Sequence, residues 1–422
     1  MLHLYDTATR EVRELALREP GSVSIYLCGP TVYGPPHIGH GRATLVYDVL
    51  RRYLTWSGLK VRLVSNITDI DDAIINRANR ENRPWQEITH QCEAVWFQAM
   101  GTINVARPTD VPHATDYVPQ MVAMIAELVA SGHAYTTDDG VYLSVETVEG
   151  YGLLVHQSLA DMLAGGGDRA VFGADNKHHP ADFVLWKFSK PGEPAWPSPW
   201  GEGRPGWHSE CVVMSLDLLG EGFDLHCGGQ DLKFPHHENE RAQAVALGKR
   251  FANHWMHHGF IVDSEGEKMS KSLGNVHNLL DLMELFDPRA YRMLLLQSHY
   301  RGPVSVGQEN IDASVKALAR FDGVARRFGA PAAAAAASRI RPQPRGGYSG
   351  KFSFSAFTQG AGFIWGNKVL FAALSLDLVA VLFAGVVALL PIYATDILQV
   401  GPSGLGWLRT GQAVGALSMA LF

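Results

Sequence analysis

Residues 23–64 read VSIYLCGPTVYGPPHIGHGRATLVYDVLRRYLTWSGLKVRLV. The apolar run Val23–Cys28 predicts a buried strand, and Val61–Val64 predicts a second one. A turn rich in Gly and Pro separates the first strand from a helix that begins near His37 and is expected to stop at Gly58. A strand–helix–strand unit favours a parallel sheet, so the predicted fold class is α/β.

Composition excludes several classes of protein. The chain has 422 residues, of which 46% are hydrophobic and 18% charged, and this balance excludes wholesale disorder. Four cysteines are too few for a disulfide scaffold, and residues 1–20 are too charged for a secretory signal. We therefore expect a cytoplasmic protein. The formal net charge is −6, so a nucleic-acid partner would have to meet a local basic face.

The character of the chain changes near residue 329. Residues 329–348 are rich in Ala, Pro, Arg and Gly and have the composition of a linker. The stretch 369–394 carries one charge, Asp377, and predicts a helix long enough for the roughly 30 Å hydrocarbon core of a bilayer. Residues 363–422 resemble a fragment of a major facilitator superfamily transporter, which implies a chimeric tail, possible tethering to a membrane and no transport activity.

Two short motifs indicate chemistry on nucleotides. His37-Ile38-Gly39-His40 lies at a helix start, where backbone N–H groups and the helix dipole favour phosphate. Lys268-Met269-Ser270-Lys271-Ser272 places two lysines three residues apart on a loop, as a clamp for polyphosphate. Each motif alone is weak, since paired histidines and basic loops are common on surfaces. Together they resemble the HIGH and KMSKS signatures of class I aminoacyl-tRNA synthetases.

Four further residues make a candidate zinc site. Cys28 ends the first strand, Cys211 follows in GWHSEC, and His236 and Glu240 share one helix face at i and i+4. Thiolate, imidazole and carboxylate are all zinc ligands, and as a foursome at one sheet end they favour a metal site over packed thiols. Cys92 and Cys227 are instead expected to be core residues.

The segments YLCGPTVYGPPHIGH, SNITDIDDAI, RPGWHSEC, HCGGQDLKFPHHENE and GEKMSKSLGN resemble the cysteinyl-tRNA synthetase family over about residues 3–328. The resemblance implies one Zn²⁺ per chain, Mg²⁺ with ATP, and L-cysteine and tRNA(Cys) as substrates. It implies the following roles: zinc ligands Cys28, Cys211, His236 and Glu240; catalytic residues His37, His40, Lys268 and Lys271; ATP binding by His37, Gly39, His40, Asp231 and Lys271; and amino-acid binding by Thr68, Trp207 and His226.

The resemblance also implies a Rossmann-type parallel-sheet catalytic domain with an insertion, followed by a helical stem domain, and the apolar tail is expected to be helical. Members of the family continue past residue 328 into a region that reads the anticodon. In this chain the predicted linker occupies that position, so transfer to tRNA is expected to be impaired. The alternatives are the cysteine ligase of mycothiol biosynthesis and an inactive chimeric remnant. The predicted parts are a first half of the catalytic domain (1–135), a connective insertion (136–204), a second half with the KMSKS loop (205–275), a helical stem region (276–328), a linker (329–348) and a membrane tail (349–422).

Overall fold

A computed structural model describes residues 2–164, 176–262 and 278–328. All of them belong to one compact unit of the chain, Met1–Pro342. The predicted linker 329–348, the predicted tail 349–422 and the lysines Lys268 and Lys271 lie outside the described residues. Within the described ranges, no helix combines the length and the apolar character needed to cross a bilayer.

The described elements alternate between strands and helices along much of the chain. In chain order they are β1 His3–Asp6, β2 Glu11–Glu14, β3 Ser22–Leu27, α1 Ile38–Trp56, β4 Lys60–Ser65, α2 Asp72–Glu81, α3 Trp85–Thr102, α4 Val118–Ala130, β5 Ala134–Thr136, β6 Gly140–Leu143, α5 Leu159–Ala164, β7 Phe183–Phe188, β8 Gly203–Pro205, α6 Trp207–Leu219, β9 Leu225–Gly229, α7 Glu238–Ala246, β10 Trp255–His258, β11 Ile261–Val262, α8 Leu279–Leu285, α9 Pro288–Leu296, β12 Val304–Ser305 and α10 Gln308–Phe328.

A four-stranded parallel sheet in the order β10-β9-β3-β4 forms the centre of the fold. Ser22 pairs with Lys60 in β4, and Ile25 pairs with Leu225 in β9. The α/β class and the parallel sheet predicted from residues 23–64 are therefore confirmed. Parallel strands end at one edge of the sheet, and ligands of open α/β sheets bind beyond that edge. Cys28 and Gly229 lie there, directly at the ends of β3 and β9.

Helix α1 connects β3 to β4 and packs its apolar face on the sheet. Leu45, Leu50 and Leu54 recur at helical spacing and are buried. The hydroxyl of the buried Tyr47 lies 2.6 Å from the carbonyl oxygen of Gly228 and so joins α1 to β9. This packing fixes the start of α1, with its two histidines, above the carboxyl edge of the sheet.

A second sheet lies within the segment expected to be an insertion. It is antiparallel, in the order β5-β6-β7-β8, and the side chain of Trp186 in β7 is fully buried beneath it. β8 ends at Pro205 and α6 begins at Trp207 after a single glycine. The second sheet therefore holds the start of α6, where Trp207 and Cys211 lie, in a fixed place beside the parallel sheet.

The edge strand of the parallel sheet was not expected from the sequence. It is β10, whereas the apolar residues just after it form the short strand β11, which pairs with β12. The sequence of β10 is Trp-Met-His-His, and its histidines look polar. Both are buried, and each makes a hydrogen bond through one ring nitrogen, although Nε2 of His258 has no partner among the described residues. A polarity pattern therefore does not reveal the strand.

Candidate metal centre and nucleotide cleft

The four residues predicted as metal ligands come together beyond the carboxyl edge of the parallel sheet. One side-chain atom each of Cys28, Cys211, His236 and Glu240 lies within 4.8 Å of the other three. Cys28 follows β3, Cys211 lies in the second turn of α6, and His236 and Glu240 lie on either side of the start of α7. Three chain segments thus deliver two sulfurs, one nitrogen and one oxygen to one place.

The distances suit tetrahedral coordination. The Sγ atoms of Cys28 and Cys211 are 3.8 Å apart, and Cys211 Sγ lies 3.7 Å from Nε2 of His236. A tetrahedral zinc ion with bonds of about 2.3 Å to sulfur and about 2.0 Å to nitrogen separates such ligands by roughly 3.5–3.8 Å. His236 Nε2 and Glu240 Oε1 are closer, at 2.9 Å, as expected where a hydrogen bond joins them. The residues present therefore fit a zinc ion.

The protonation states of the cluster suit a cation. Burial opposes charge on the Cys211 thiol, but hydrogen bonds from Cys28 and His236 lower its pKa to about 6. Burial likewise opposes charge on Glu240, yet His226 and His236 hold the pKa of its carboxyl well below the usual range. Two anionic groups in a site screened from solvent create a strong demand for positive charge.

The ring of His236 is oriented by its neighbours. The indole of Trp207 stacks on it, with ring centroids 4.0 Å apart, and Nδ1 of His236 lies 2.9 Å from Nδ1 of His208. Burial lowers the pKa of His208 to about 3, so its ring is neutral and accepts the Nδ1 proton of His236. This arrangement leaves Nε2 of His236 facing the cluster, as second-sphere hydrogen bonds do in metal sites.

A second arrangement of ligands overlaps the first. Cys28 and Glu240 also lie within 4.8 Å of His226 and His237. Nε2 of His237 is 3.3 Å from Cys28 Sγ, and Nε2 of His226 is 2.6 Å from Glu240 Oε2. Nδ1 of His226 is buried without a hydrogen-bond partner among the described residues. The sequence indicated His226 as an amino-acid contact, but the involvement of His237 was missed; its only signal was the density of histidines between residues 226 and 258.

A cleft of about 280 Å³ opens beside the cluster, and Cys28 belongs to its wall. The other predicted ligand-binding residues that line it are His37, Gly39, His40, Trp207 and Asp231. The rings of His37 and His40 stack at 3.7 Å, and a Cβ atom at Gly39 would lie 2.9 Å from the His37 ring. Only glycine leaves His37 this close to the backbone at the start of α1.

Thr68 and His226 lie outside the lining of the cleft, next to the cluster. The hydroxyl of Thr68 donates a 2.6 Å hydrogen bond to Glu210, a buried carboxyl whose pKa burial raises well above the usual range. Glu210 was not expected from the sequence. Its neighbour Cys211 was expected as a metal ligand. The position of Glu210 next to Cys211 is the one signal in the sequence that pointed to Glu210.

Known proteins are similar to this chain over about three quarters of its length. Residues 14–316 match the family described as "tRNA synthetases class I (C) catalytic domain". A cysteine–tRNA ligase of Pelobacter propionicus is 47% identical over 321 residues, which are 76% of this chain and 64% of the relative. The cysteine–tRNA ligase of Thermus thermophilus is 46% identical over 331 residues, covering 76% of this chain and 68% of the relative. The chain thus spans less than two thirds of the first of these relatives.

Solved structures share the fold at much lower sequence identity. The Mycobacterium tuberculosis methionyl-tRNA synthetase bound to methionyl-adenylate is similar with a TM-score of 0.54 and 15% identity. The similarity covers 70% of this chain and 68% of that one. At this identity the likeness supports the class I catalytic architecture alone.

Proposed function

The chain belongs to the cysteine–tRNA ligase family of class I tRNA synthetases, and we propose that it activates L-cysteine with ATP and transfers it to tRNA(Cys). The observation that carries the proposal is the convergence of Cys28, Cys211, His236 and Glu240 beside the cleft that His37 and His40 line. A soft-ligand cluster next to a nucleotide site suits an enzyme that must select a thiol substrate.

The four cluster residues would hold Zn²⁺, one per chain. When bound, the ion supplies a soft Lewis acid that prefers a thiolate to a hydroxyl group. Cysteine and serine differ by one atom, and packing alone separates such isosteres poorly. Trp207 covers the cluster from the side of the cleft and is 39% exposed, so its indole is placed to contact a substrate side chain there. Thr68 and His226, next to the cluster, would complete the amino-acid pocket.

His37, Gly39 and His40 would bind the phosphates of ATP at the start of α1. The first N–H groups of a helix are unpaired within it and carry the positive end of its dipole, so they attract phosphate oxygens. Asp231, which also lines the cleft, would bind the adenosine or the amino group of cysteine. Lys268 and Lys271, outside the described residues, are proposed to neutralise the charge of the triphosphate, which arrives with Mg²⁺.

The proposed reaction has two steps. A carboxylate oxygen of cysteine attacks the α-phosphorus of ATP, the bond to the β-phosphate oxygen breaks, and pyrophosphate leaves with the electron pair of that bond. A ribose hydroxyl at the end of tRNA then attacks the carbonyl of cysteinyl-adenylate and releases AMP and a proton. The first step needs positioning and charge stabilisation and no nucleophilic side chain, which is what this site offers.

The acceptor and the location of the enzyme are further parts of the proposal. The relatives described above are cysteine–tRNA ligases, which favours tRNA over the glucosaminyl-inositol acceptor of the related mycothiol enzyme. We expect the enzyme in the cytoplasm, where ATP and tRNA are. The membrane tether predicted from 369–394 concerns residues outside those that the structure describes, and the proposed reaction does not require it.

The decisive experiment is amino-acid-dependent exchange of pyrophosphate into ATP, measured on the full chain with zinc. We expect exchange with L-cysteine and none with L-serine. Activity with serine as strong as with cysteine, or none with either, would refute the proposed function. A second assay, with cysteine, ATP and either tRNA(Cys) or glucosaminyl-inositol, identifies the acceptor, and a product on glucosaminyl-inositol alone would overturn the tRNA step.

A further inference from the structure

A second cleft, distinct from the nucleotide cleft, lies on the outer side of strand β10. Its volume is about 290 Å³, similar to that of the nucleotide cleft. Residues from the N-terminal hairpin, from the segment after β6, from the loop after β9, from β10 and from the segment between α9 and β12 surround it. The lining residues on which the argument depends are Tyr5, Arg10, Gln230, Lys233, His257 and Arg301. We call it the basic cleft.

The basic cleft gathers positive charge without a counter-charge. Arg10, Lys233 and Arg301 line it, and no carboxylate occurs among the described lining residues. None of the ion pairs between described residues includes any of these three cations. Partial burial lowers the pKa of Lys233, and the nearby charges of Arg10 and Arg301 lower it further. The three cations therefore repel one another in the absence of an anion.

The cations are held in place by contacts of their own. The guanidinium of Arg301 lies 3.3 Å from the centre of the Tyr5 ring, and its carbonyl accepts a 3.2 Å hydrogen bond from Gln230. Arg10 adopts a left-handed backbone with φ of 59°, fixed by a 2.8 Å hydrogen bond from its N–H to Asp6. Non-glycine residues adopt this conformation only where the surrounding structure enforces it. The guanidinium of Arg301 and the backbone at Arg10 are thus positioned before any ligand arrives.

The wall of the basic cleft is shared with the catalytic region. In the loop after β9, Gln230 and Lys233 line the basic cleft, whereas Asp231 lines the nucleotide cleft. His257 lines the basic cleft, and its Nε2 lies 2.8 Å from Nδ1 of His237 beside the cysteine cluster. An anion bound in the basic cleft would therefore stabilise the loop that carries Asp231.

We propose that the basic cleft binds a phosphate group, either as free orthophosphate or as a backbone phosphate of a single-stranded RNA end. Two guanidinium groups and one ammonium group around a small polar cleft match the tetrahedral oxygens of a phosphate group better than the two coplanar oxygens of a carboxylate. The RNA source rests on the proposed function, whereas the phosphate site itself does not.

Equilibrium dialysis with radioactive orthophosphate tests the proposal on the full chain. Saturating unlabelled ATP, without amino acid, occupies the nucleotide cleft. We expect phosphate to bind to the unaltered protein, and to bind roughly tenfold more weakly or worse after Lys233→Gln combined with Arg301→Gln, because charged hydrogen bonds are lost. Lys233→Arg keeps the charge and should keep binding.

Arg80→Gln, which removes an exposed arginine at the end of α2, is the matched control and should bind phosphate like the unaltered protein. Equal binding by the double variant, or complete displacement of phosphate by ATP, would overturn the proposal. Competition by the trinucleotide CpCpA identifies RNA as the source of the phosphate, and its failure identifies the free anion; both support the site. Pyrophosphate exchange, measured in parallel, tests the proposed function separately.

Discussion

The Sγ atoms of Cys28 and Cys211 lie 3.8 Å apart although 183 residues separate them along the chain. β3 places the first thiol at the carboxyl edge of the parallel sheet, and the antiparallel sheet places the second through the start of α6. Cys211 is buried and Cys28 half-buried, and together with His236 and Glu240 their thiols make a donor set of the kind that zinc prefers. The proposed selection of cysteine depends on this pair.

Removing one ligand should remove the metal. Cys211→Ser and Glu240→Gln each take away one of four donors, and loss of one donor typically weakens zinc binding by orders of magnitude. We expect about one zinc per chain in the unaltered protein and less than about 0.2 in either variant after dialysis against a weak chelator. Elemental analysis by mass spectrometry gives the ratio.

Cys92→Ser is the control for these variants. Cys92 is buried in a separate apolar cluster with Val32 and Ile88, where it accepts a hydrogen bond from Arg77. Its replacement should leave the zinc content unchanged. A loss of zinc equal to that of Cys211→Ser would mean that metal content reports general damage to the fold and not loss of a ligand.

The close approach between Gly29 and Asn66 predicts that any side chain at position 29, next to the cluster, destabilises the fold. A Cβ atom at Gly29 would lie 1.6 Å from the carbonyl oxygen of Asn66, so Gly29→Ala must push β3 and β4 apart at their carboxyl ends. We expect a loss of more than about 3 kcal/mol in the free energy of unfolding. Urea unfolding followed by circular dichroism measures it.

Gly101→Ala supplies the comparison, since a Cβ there meets nothing within 4 Å and the residue lies in helix α3. Alanine favours a helix over glycine, so this variant should be neutral or more stable by up to about 1 kcal/mol. Similar stability of the two variants would contradict the packing described between Gly29 and Asn66.

His258 predicts a loss of stability on acidification. Burial lowers its pKa to about 4, and the charge of Arg42 adds to this effect. Because the folded-state pKa lies below the ordinary value of about 6.5, the unfolded chain binds an extra proton between these values. This contribution to the free energy of unfolding is therefore fully present above pH 6.5 and is lost progressively as the pH falls towards 4. The loss reaches about 2 kcal/mol at pH 5.

The matched variant is His258→Asn, whose amide can donate to the carbonyl of Gly259 as Nδ1 of His258 does at 2.8 Å. Between pH 7.5 and pH 5, the unaltered protein should lose about 2 kcal/mol more unfolding free energy than the variant. Equal losses in both proteins would show that His258 is not held neutral by burial.

Much of the central fold was predictable because the local apolar pattern of the sequence agrees with the burial of each element in the tertiary structure. The run Val23–Cys28 is apolar because β3 is buried on both faces of the sheet. The structure places this strand at Ser22–Leu27. Strand β10 was missed because its histidines are buried by specific partners. His257, for example, bonds to Thr7, 250 residues away, and no local pattern encodes such a partner.

The candidate site was predictable in its residue types but not in its detail. The i and i+4 relation favoured His236 as the partner of Glu240, and the two lie 2.9 Å apart. It did not show that the adjacent His237 also approaches Cys28. The backbone conformation changes between the turn before α7 and α7 itself, and this change determines where each ring points. The basic cleft escaped prediction because its cations come from distant segments. The roles of the individual site residues stay proposals that the variants above address.

X-ray absorption at the zinc edge of the full chain tests the central claim most directly, because it counts the sulfur neighbours of the metal. We predict two sulfurs, from Cys28 and Cys211, and a third when L-cysteine is added but not when L-serine is added. The overlapping set with His226 and His237 contains one cysteine sulfur. A count of one, or a count of two that L-cysteine leaves unchanged, would contradict the account.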